Sequence, residues 1–254
     1  MIPKLIPGIH FLALVTVSVV CVYLVRKRGR LPYFRKLPAL EAMYESIDRC
    51  VEMRRPVLFT LGEASLSGGA VTVAGLAILQ EVATKSAEKG AEVILSIAGA
   101  DTLPVIDSLM RQAYLAAGKP EEYKPENLIF VGGSQFSNAA TMLGLFDTRR
   151  PGALIFPGST GWAQVVYGEH AAKVGAVSIG ALTNTYQIHY AMASYDWLLL
   201  CEDFLAAGAM ISKEPNLVSN MWAGDIYRYV LVSFVAVSVI LTWLGINMLE
   251  FWKI

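Results

Sequence analysis

The sequence contains few charged residues, few histidines and few cysteines, and each shortage excludes a class of protein. Charged residues make up 17% of the 254 residues and hydrophobic residues 55%, whereas soluble domains average about 25% charged. Basic and acidic residues both number 21, so the chain lacks the positive excess that nucleic-acid binding requires. The three cysteines are far apart, which excludes a disulfide framework and a C-x-x-C metal site. The high apolar content excludes intrinsic disorder.

The excess of apolar residues lies in two uncharged runs, one near each end of the sequence. Residues 9–25 and 229–249 contain neither a charged residue nor a proline, and each is about as long as a helix that crosses a bilayer. The first run ends in basic residues rather than in a small-x-small cleavage site, which favours an uncleaved anchor over a signal peptide. The sequence therefore predicts two transmembrane helices.

A basic segment, residues 26–36, follows the first run and contains no acidic residue. Its basic residues are Arg26, Lys27, Arg28, Arg30, Arg35 and Lys36. The positive-inside rule places this segment and the residues after it in the cytoplasm, with residues 1–8 and 250–254 outside. The predicted location is the inner (cytoplasmic) cell membrane, and the basic side chains are also suited to anionic lipid headgroups.

Residues 37–224, between the two runs, form one domain by their length. Six short β-rich runs alternate with helix-length segments, and most of the runs are continuously apolar, which is typical of strands buried on both faces of a parallel sheet. This pattern predicts an α/β fold: a doubly wound, mostly parallel sheet of about six strands with helices on both faces. The predicted strands are 57–61, 92–98, 128–131, 153–156, 176–182 and 197–201.

The residues that follow the predicted strands are the candidate ligand site, because open α/β sheets bind ligands outside the carboxyl ends of their strands. These segments are rich in glycine, hydroxyl and acidic residues. The candidates are Gly62, Glu63, Asp101, Gly132, Gly133, Ser134, Gln135, Gly158, Ser159, Thr160, Thr183, Asn184 and Glu202. Backbone amides at the helix N-termini would suit an anion, and the carboxylates would suit a cation or serve as a base. The same residue types also suit tight turns and helix caps.

The sequence shows no recognisable catalytic arrangement. Residues 132–135 lack the spacing of a dinucleotide motif, and residues 158–161 lack the lysine of a phosphate-binding loop. Ser159 does not lie in a nucleophile elbow. We therefore predict no catalytic residue, no metal site and no cofactor, and leave an enzymatic alternative open.

Several short motifs occur in a recognisable order between residues 39 and 228. They are residues 55–59 (RPVLF), 111–114 (RQAY), 117–120 (AGKP), 135–136 (QF), 195–197 (YDW), 202–209 (EDFLAAGA) and 212–215 (SKEP). This order resembles an uncharacterised prokaryotic family of membrane-anchored proteins that is known only as a domain of unknown function. The resemblance implies two transmembrane helices flanking a Rossmann-like α/β domain, and it implies no activity.

Two functions fit the sequence. The first is a membrane-anchored, self-associating scaffold without catalytic activity, favoured by the small residues at 206–209 and by the many aromatic residues in the second half of the chain. The alternative is a nucleotide- or metabolite-binding domain at the inner membrane face, with or without enzymatic activity. The expected partners are the lipid bilayer, further copies of the chain as a homo-oligomer, and other membrane proteins, but not nucleic acid.

Overall fold

A computed structural model describes residues 5–28 and 35–243, which fall into two units. Residues 35–212 form the larger unit, and the described residues before and after that range form the other. The helices are α1 (Leu5–Arg28), α2 (Pro38–Met53), α3 (Ala70–Lys89), α4 (Leu103–Ala116), α5 (Gln135–Arg149), α6 (Ala163–Val174), α7 (Thr185–Ser194), α8 (Glu202–Ser212) and α9 (Pro215–Trp243). The strands are β1 (Val57–Thr60), β2 (Val93–Ile97), β3 (Leu128–Phe130), β4 (Ala153–Pro157), β5 (Val177–Leu182) and β6 (Trp197–Leu200).

The larger unit is built on a six-stranded sheet in which every pair of neighbouring strands is parallel. The strand order is β3-β2-β1-β4-β5-β6, and Phe59 of β1 pairs with Leu95 of β2 on one side and Ile155 of β4 on the other. Strands β1, β2 and β4 are buried throughout, which explains why their sequences are apolar apart from the buried Thr60 and Ser96. The predicted six-stranded parallel α/β fold is confirmed.

Helices cover both faces of the sheet because successive side chains of a strand point to opposite sides. Val57 and Phe59 of β1 belong to one apolar core, formed with helices α2, α3, α4 and α8. Leu58, between them, belongs to the other core, formed with α5, α6 and α7. The strand order is that of a doubly wound fold, in which the chain first builds outward from β1 and then returns to continue from β4.

The second unit contains two long helices, α1 and α9, which pack along each other. Within the described part of the chain, α9 is the one helix that is both long and apolar enough to cross a membrane. Helix α1 includes all of the predicted span at 9–25, and the Arg26 guanidinium at its end donates a hydrogen bond to the Asn216 side chain near the start of α9 (3.0 Å). The α/β unit ends at Ser212, so residues 213–224, predicted to belong to the domain, lie outside that unit.

Three hydroxyl groups in the apolar parts of α1 and α9, those of Thr16, Ser238 and Thr242, donate hydrogen bonds within their own helices. Thr16 donates to the backbone oxygen of Leu12 (2.7 Å), and Thr242 donates to that of Ser238 (2.8 Å). These bonds across one helical turn suit an environment without water, because a polar group there needs an internal partner. Residues 1–4 of the predicted outer N-terminus (1–8), the predicted outer C-terminus (250–254) and the end of the second predicted span (244–249) lie outside the described residues, whereas residues 5–8 belong to α1.

Candidate functional site

The site lies where β1 and β4 end, at the point where the strand order reverses. Folds of this type usually have an open crevice between the two loops there. In this chain the loops touch: Gly62 and Ser159 form a parallel bridge, and the backbone N–H of Glu63 donates to the backbone oxygen of Ser159 (3.0 Å). A Cβ atom on Gly158 would lie 2.1 Å from the backbone oxygen of Leu61, so only glycine permits this approach. The backbone itself closes the crevice at its base.

A polar network surrounds Thr160, which is buried just beyond the end of β4. Its hydroxyl donates to the carboxylate of Glu63, with 3.2 Å between the oxygens. The Gln135 amide lies 3.2 Å from the same hydroxyl, and the single proton of that hydroxyl serves either Glu63 or the Gln135 amide oxygen. In the orientation that satisfies its neighbours, the Gln135 amide oxygen accepts hydrogen bonds from the backbone N–H groups of Gly161 (2.6 Å) and Trp162 (3.1 Å). Gln135 thereby joins the start of α5 to the two residues that precede α6.

Helix α7 contributes the other side of this network. Asn184, just before the helix, donates to the Ser159 hydroxyl (3.0 Å). The amide nitrogen of Gln187 donates to the backbone oxygen of Thr160, and the amide nitrogen of Gln164 on α6 donates to the backbone oxygen of Gln187 (3.2 Å). The loop after β4 is therefore fixed by side chains from two helices.

Three polar atoms in this region are buried without a hydrogen-bond partner in the described structure. They are the amide oxygens of Gln164 and Gln187 and the hydroxyl of Tyr167. Gln187 is 1% exposed and Gln164 is fully buried. Buried polar atoms in proteins are nearly always paired with protein, water or a ligand. The two unpaired amide oxygens are acceptors, so the group that completes them must donate hydrogen bonds.

The electrostatic character of the site is acidic. None of the segments that follow the six strands (61–69, 98–102, 131–135, 157–162, 183–187 and 201–203) contains lysine, arginine or histidine. Partial burial raises the pKa of Glu63, while the hydrogen bond from Thr160 acts in the opposite direction. Burial raises the pKa of Tyr167 as well, and the nearby charge of Glu63 adds to that shift.

Comparison with known proteins identifies the family. A family model described as a domain of unknown function, DUF6754, matches residues 4–252. The chain belongs to the DUF6754 family. This confirms the resemblance to an uncharacterised family that the sequence motifs indicated. No curated protein and no solved structure matches the chain.

In the DUF6754 chain the Asp101 carboxylate is bonded to the loop after β1, whereas a ligand-binding carboxylate would be free to contact a ligand. Its side chain accepts hydrogen bonds from the backbone N–H of Leu66 (2.8 Å) and from the Ser65 hydroxyl (2.8 Å). These bonds lower the pKa of Asp101. Asp101 thus holds the glycine-rich loop after β1 in place, and it does not cap the following helix, α4, whose N-cap is Thr102.

The remaining candidates of the DUF6754 chain lie at the same edge of the sheet but contribute less to the network. Nothing lies within 4 Å of a Cβ atom built on Gly132 or Gly133, and Ser134 precedes α5 without a side-chain cap. The backbone oxygen of Thr183 accepts from the thiol of Cys201. Glu202 begins α8 after β6, at the far end of the sheet from β3.

Sequence reasoning missed Gln164, Tyr167 and Gln187, because all three lie inside helices rather than after strands. It also missed the aromatic pair Phe136 and Trp162, whose ring centroids are 5.5 Å apart. Both rings are exposed. Phe136 directly follows Gln135 and Trp162 directly follows Gly161, and Gln135 and Gly161 are in contact. A glutamine between Ala163 and the apolar pair Val165 and Val166 was the available signal for Gln164. Within residues 5–28 and 35–243, no group of three metal-binding side chains occurs.

The basic segment, residues 26–36, crosses the boundary between the two units. Arg35 and Lys36 belong to the α/β unit, and Arg30 lies outside the described residues. Among the described residues, the contacts of this segment include Lys27 over the ring of Tyr23, Arg26 with Asn216, Arg35 with Asp203, and Lys36 with Glu41. Exposed ion pairs such as the last two contribute little stability, so they are compatible with a role in topology.

Proposed function

We propose that this DUF6754 protein is a membrane-anchored α/β domain that binds a small polar molecule at the site between β1 and β4. The observation that supports this most strongly is the buried, unpartnered amide oxygen of Gln187, which belongs to the network around Thr160. The position of the site adds support, because doubly wound sheets bind ligands where their strand order reverses. The proposal assigns no catalytic residue.

Retention of the ligand during purification tests this function. Full-length protein is purified gently in nanodiscs and denatured, and the released small molecules are measured by mass spectrometry. We expect a compound that is enriched in the wild type and lost in Gln187→Leu. The control is Gln80→Leu, which changes an exposed glutamine on α3. If the wild type retains no more than the Gln187→Leu variant, ordered water completes the buried amides and the proposed function is wrong.

Membrane anchoring through two spans is part of the same proposal. Support comes from the length and apolar character of α9, from the uncharged sequence of residues 9–25 in α1, and from the internal hydroxyl bonds of both helices. With the α/β domain in the cytoplasm, both chain ends lie outside the inner membrane, as the basic residues after the first span favour. We expect alkaline phosphatase fused to the C-terminus to be active in a bacterial host. An inactive phosphatase with a bright green fluorescent protein fusion would contradict this topology.

Self-association as a scaffold is the second candidate function, and exposed apolar side chains in the second half of the chain favour it. Tyr190 and Met192 on α7 and Trp197 on β6 are 45%, 67% and 42% exposed, respectively. Exposed aromatic and methionine side chains are enriched at protein interfaces. The small residues at 206–209 no longer support this candidate, because Gly208 already packs against Ala74 of α3 in the same chain.

Native mass spectrometry of the full chain in nanodiscs shows whether the protein is an oligomer, as the scaffold requires, or a monomer. We expect Met192→Glu to reduce the oligomeric fraction, while Leu115→Glu, an equally exposed site on α4, leaves it unchanged. Only monomers in the wild type at micromolar concentration would contradict the scaffold.

A further inference from the structure

We infer that the site between β1 and β4 binds a compound with a protonated amino or guanidino group and excludes phosphate. This inference rests on the proposed function, since it names the chemical class of the ligand. It depends on three features of the site: how its backbone donors are used, which polar groups are left without partners, and what surrounds them.

Three backbone N–H groups in the loops after β1 and β4 are already bonded to side chains. Phosphate-binding folds leave the N–H groups of a glycine-rich loop and a helix N-terminus free for the ligand. Here the N–H groups of Gly161 and Trp162, ahead of α6, donate to Gln135. In the loop after β1, the N–H of Leu66 donates to the carboxylate of Asp101. A phosphate would have to displace an amide oxygen at one loop and a carboxylate at the other.

Two of the groups that are left without partners, the amide oxygens of Gln187 and Gln164, are acceptors, whereas the Tyr167 hydroxyl can donate or accept. The Glu63 carboxylate has no ion-pair partner in the described ranges, and its one side-chain hydrogen bond there comes from Thr160. The amide oxygens of Gln187 and Gln164 are buried and unpaired. Glu63 and Gln187 both contact Thr160, one at its hydroxyl and the other at its backbone oxygen. A ligand that satisfies these atoms must carry several N–H or O–H donors, and a positive charge would complement the carboxylate.

The surroundings favour an organic cation over an anion or a metal ion. The strand-end segments contain no basic residue that could neutralise a phosphate. The exposed rings of Phe136 and Trp162 lie next to Gln135 and Gly161, and aromatic faces attract ammonium and guanidinium groups. A divalent metal ion would need more carboxylate or carbonyl ligands than Glu63 supplies, and the part of the chain that the structure describes holds no cluster of that kind.

The experiment compares ligands of opposite charge on the full-length protein in phosphatidylcholine nanodiscs. The probes are spermidine and agmatine as amino and guanidino compounds, choline as a cation without N–H donors, and inorganic phosphate and ATP as anions. The readouts are the shift in melting temperature and the dissociation constant from calorimetry. We expect spermidine or agmatine to stabilise the protein, and choline, phosphate and ATP to have no effect at the same concentrations.

Substitutions at Glu63 locate the binding. Glu63→Gln keeps the shape and removes the charge, and we expect it to weaken amine binding about 10- to 100-fold, the range of a hydrogen bond to a charged group. Glu45→Gln removes an exposed carboxylate on α2 and serves as the matched control. Because Glu63 is exposed, its replacement leaves the folded state intact. Glu63→Lys should abolish amine binding entirely.

Each outcome decides the inference. Amine binding that is weakened by Glu63→Gln and unchanged by Glu45→Gln supports it. Amine binding that survives Glu63→Gln belongs to another surface and overturns it. Binding of phosphate or ATP that Gln187→Leu removes, without amine binding, overturns the inference and leaves the proposed function standing. If no probe of either charge binds and no retained compound is found, both are wrong.

Discussion

Replacing Gly158 by alanine tests whether the close contact between the loops after β1 and β4 holds the site together. The added Cβ would lie 2.1 Å from the backbone oxygen of Leu61 and 2.5 Å from its carbonyl carbon, against 3.4 Å or more for an ordinary contact. Both neighbours are backbone atoms, so no side chain can rotate away. The backbone N–H of Gly158 also donates to Ala181 on β5 (3.1 Å), which restrains any movement of the loop.

The expected cost combines overpacking with a lost hydrogen bond. Overpacking of a filled interior costs about 1–3 kcal/mol, and separating the loops breaks the bond from Glu63 N–H to Ser159, worth about 0.5–1.5 kcal/mol. We therefore expect a loss of about 2–4 kcal/mol in the free energy of unfolding. For a domain of this size that corresponds to a melting temperature lower by about 5–15 °C.

The assay is thermal unfolding of the full-length protein in one detergent, followed by intrinsic fluorescence and circular dichroism. The control is Gly144→Ala, because Gly144 lies inside α5 and a Cβ there has open space. Alanine in a helix interior is more stable than glycine by about 0.5–1 kcal/mol, so this variant should melt slightly higher than the wild type. A Gly158→Ala variant that melts within about 2 °C of the wild type would refute the tight contact.

Three further outcomes are expected. Gly208→Ala should lower the melting temperature, because its Cβ would lie 2.6 Å from that of Ala74, and thermal unfolding measures this. Burial raises the pKa of Cys50 to about 12, so maleimide at neutral pH should label the half-buried Cys201 and spare Cys50 until denaturant is added, as peptide mass spectrometry will show. Asp101→Asn should speed hydrogen exchange in residues 65–69. The pKa of Asp101 is lower in the folded protein than in the unfolded chain. In the wild type, the protection of this loop against exchange is therefore complete above the ordinary pKa of aspartate, about 3.9. The protection is lost as the pH falls through the lower pKa of the folded protein.

Much of the fold could be predicted because the signals are local. A strand that is buried on both faces must be continuously apolar, and all six predicted strands overlap observed ones. The amphipathic pattern before the first strand likewise predicts α2. The rule that ligands bind after strands then located Glu63, Gln135, Ser159, Thr160 and Asn184, because parallel strands bring their carboxyl ends to a single edge.

The part of the site that could not be predicted depends on contacts between distant segments. Gln187 reaches Thr160 across 27 residues, and only the packing of α7 beside α6 brings them together. Asp101 looks the same in the sequence whether it binds a ligand or caps a loop. Its contact with Leu66, 35 residues away, distinguishes the two. The small residues around Gly208 suit close helix packing, but the sequence does not say that the neighbour is α3 of the same chain.

The sequence by itself determined the segments that are apolar, helical or extended, the parallel α/β class and the acidic character of the strand-end loops, because each depends on residue type and short-range spacing. Only the tertiary structure decided the order β3-β2-β1-β4-β5-β6, the closure of the crevice by Gly62 and Gly158, and the burial of unpaired acceptors beside Thr160. These depend on which surfaces meet when the chain packs. Whether a polar atom has a partner is a property of that packed arrangement, not of the residue alone.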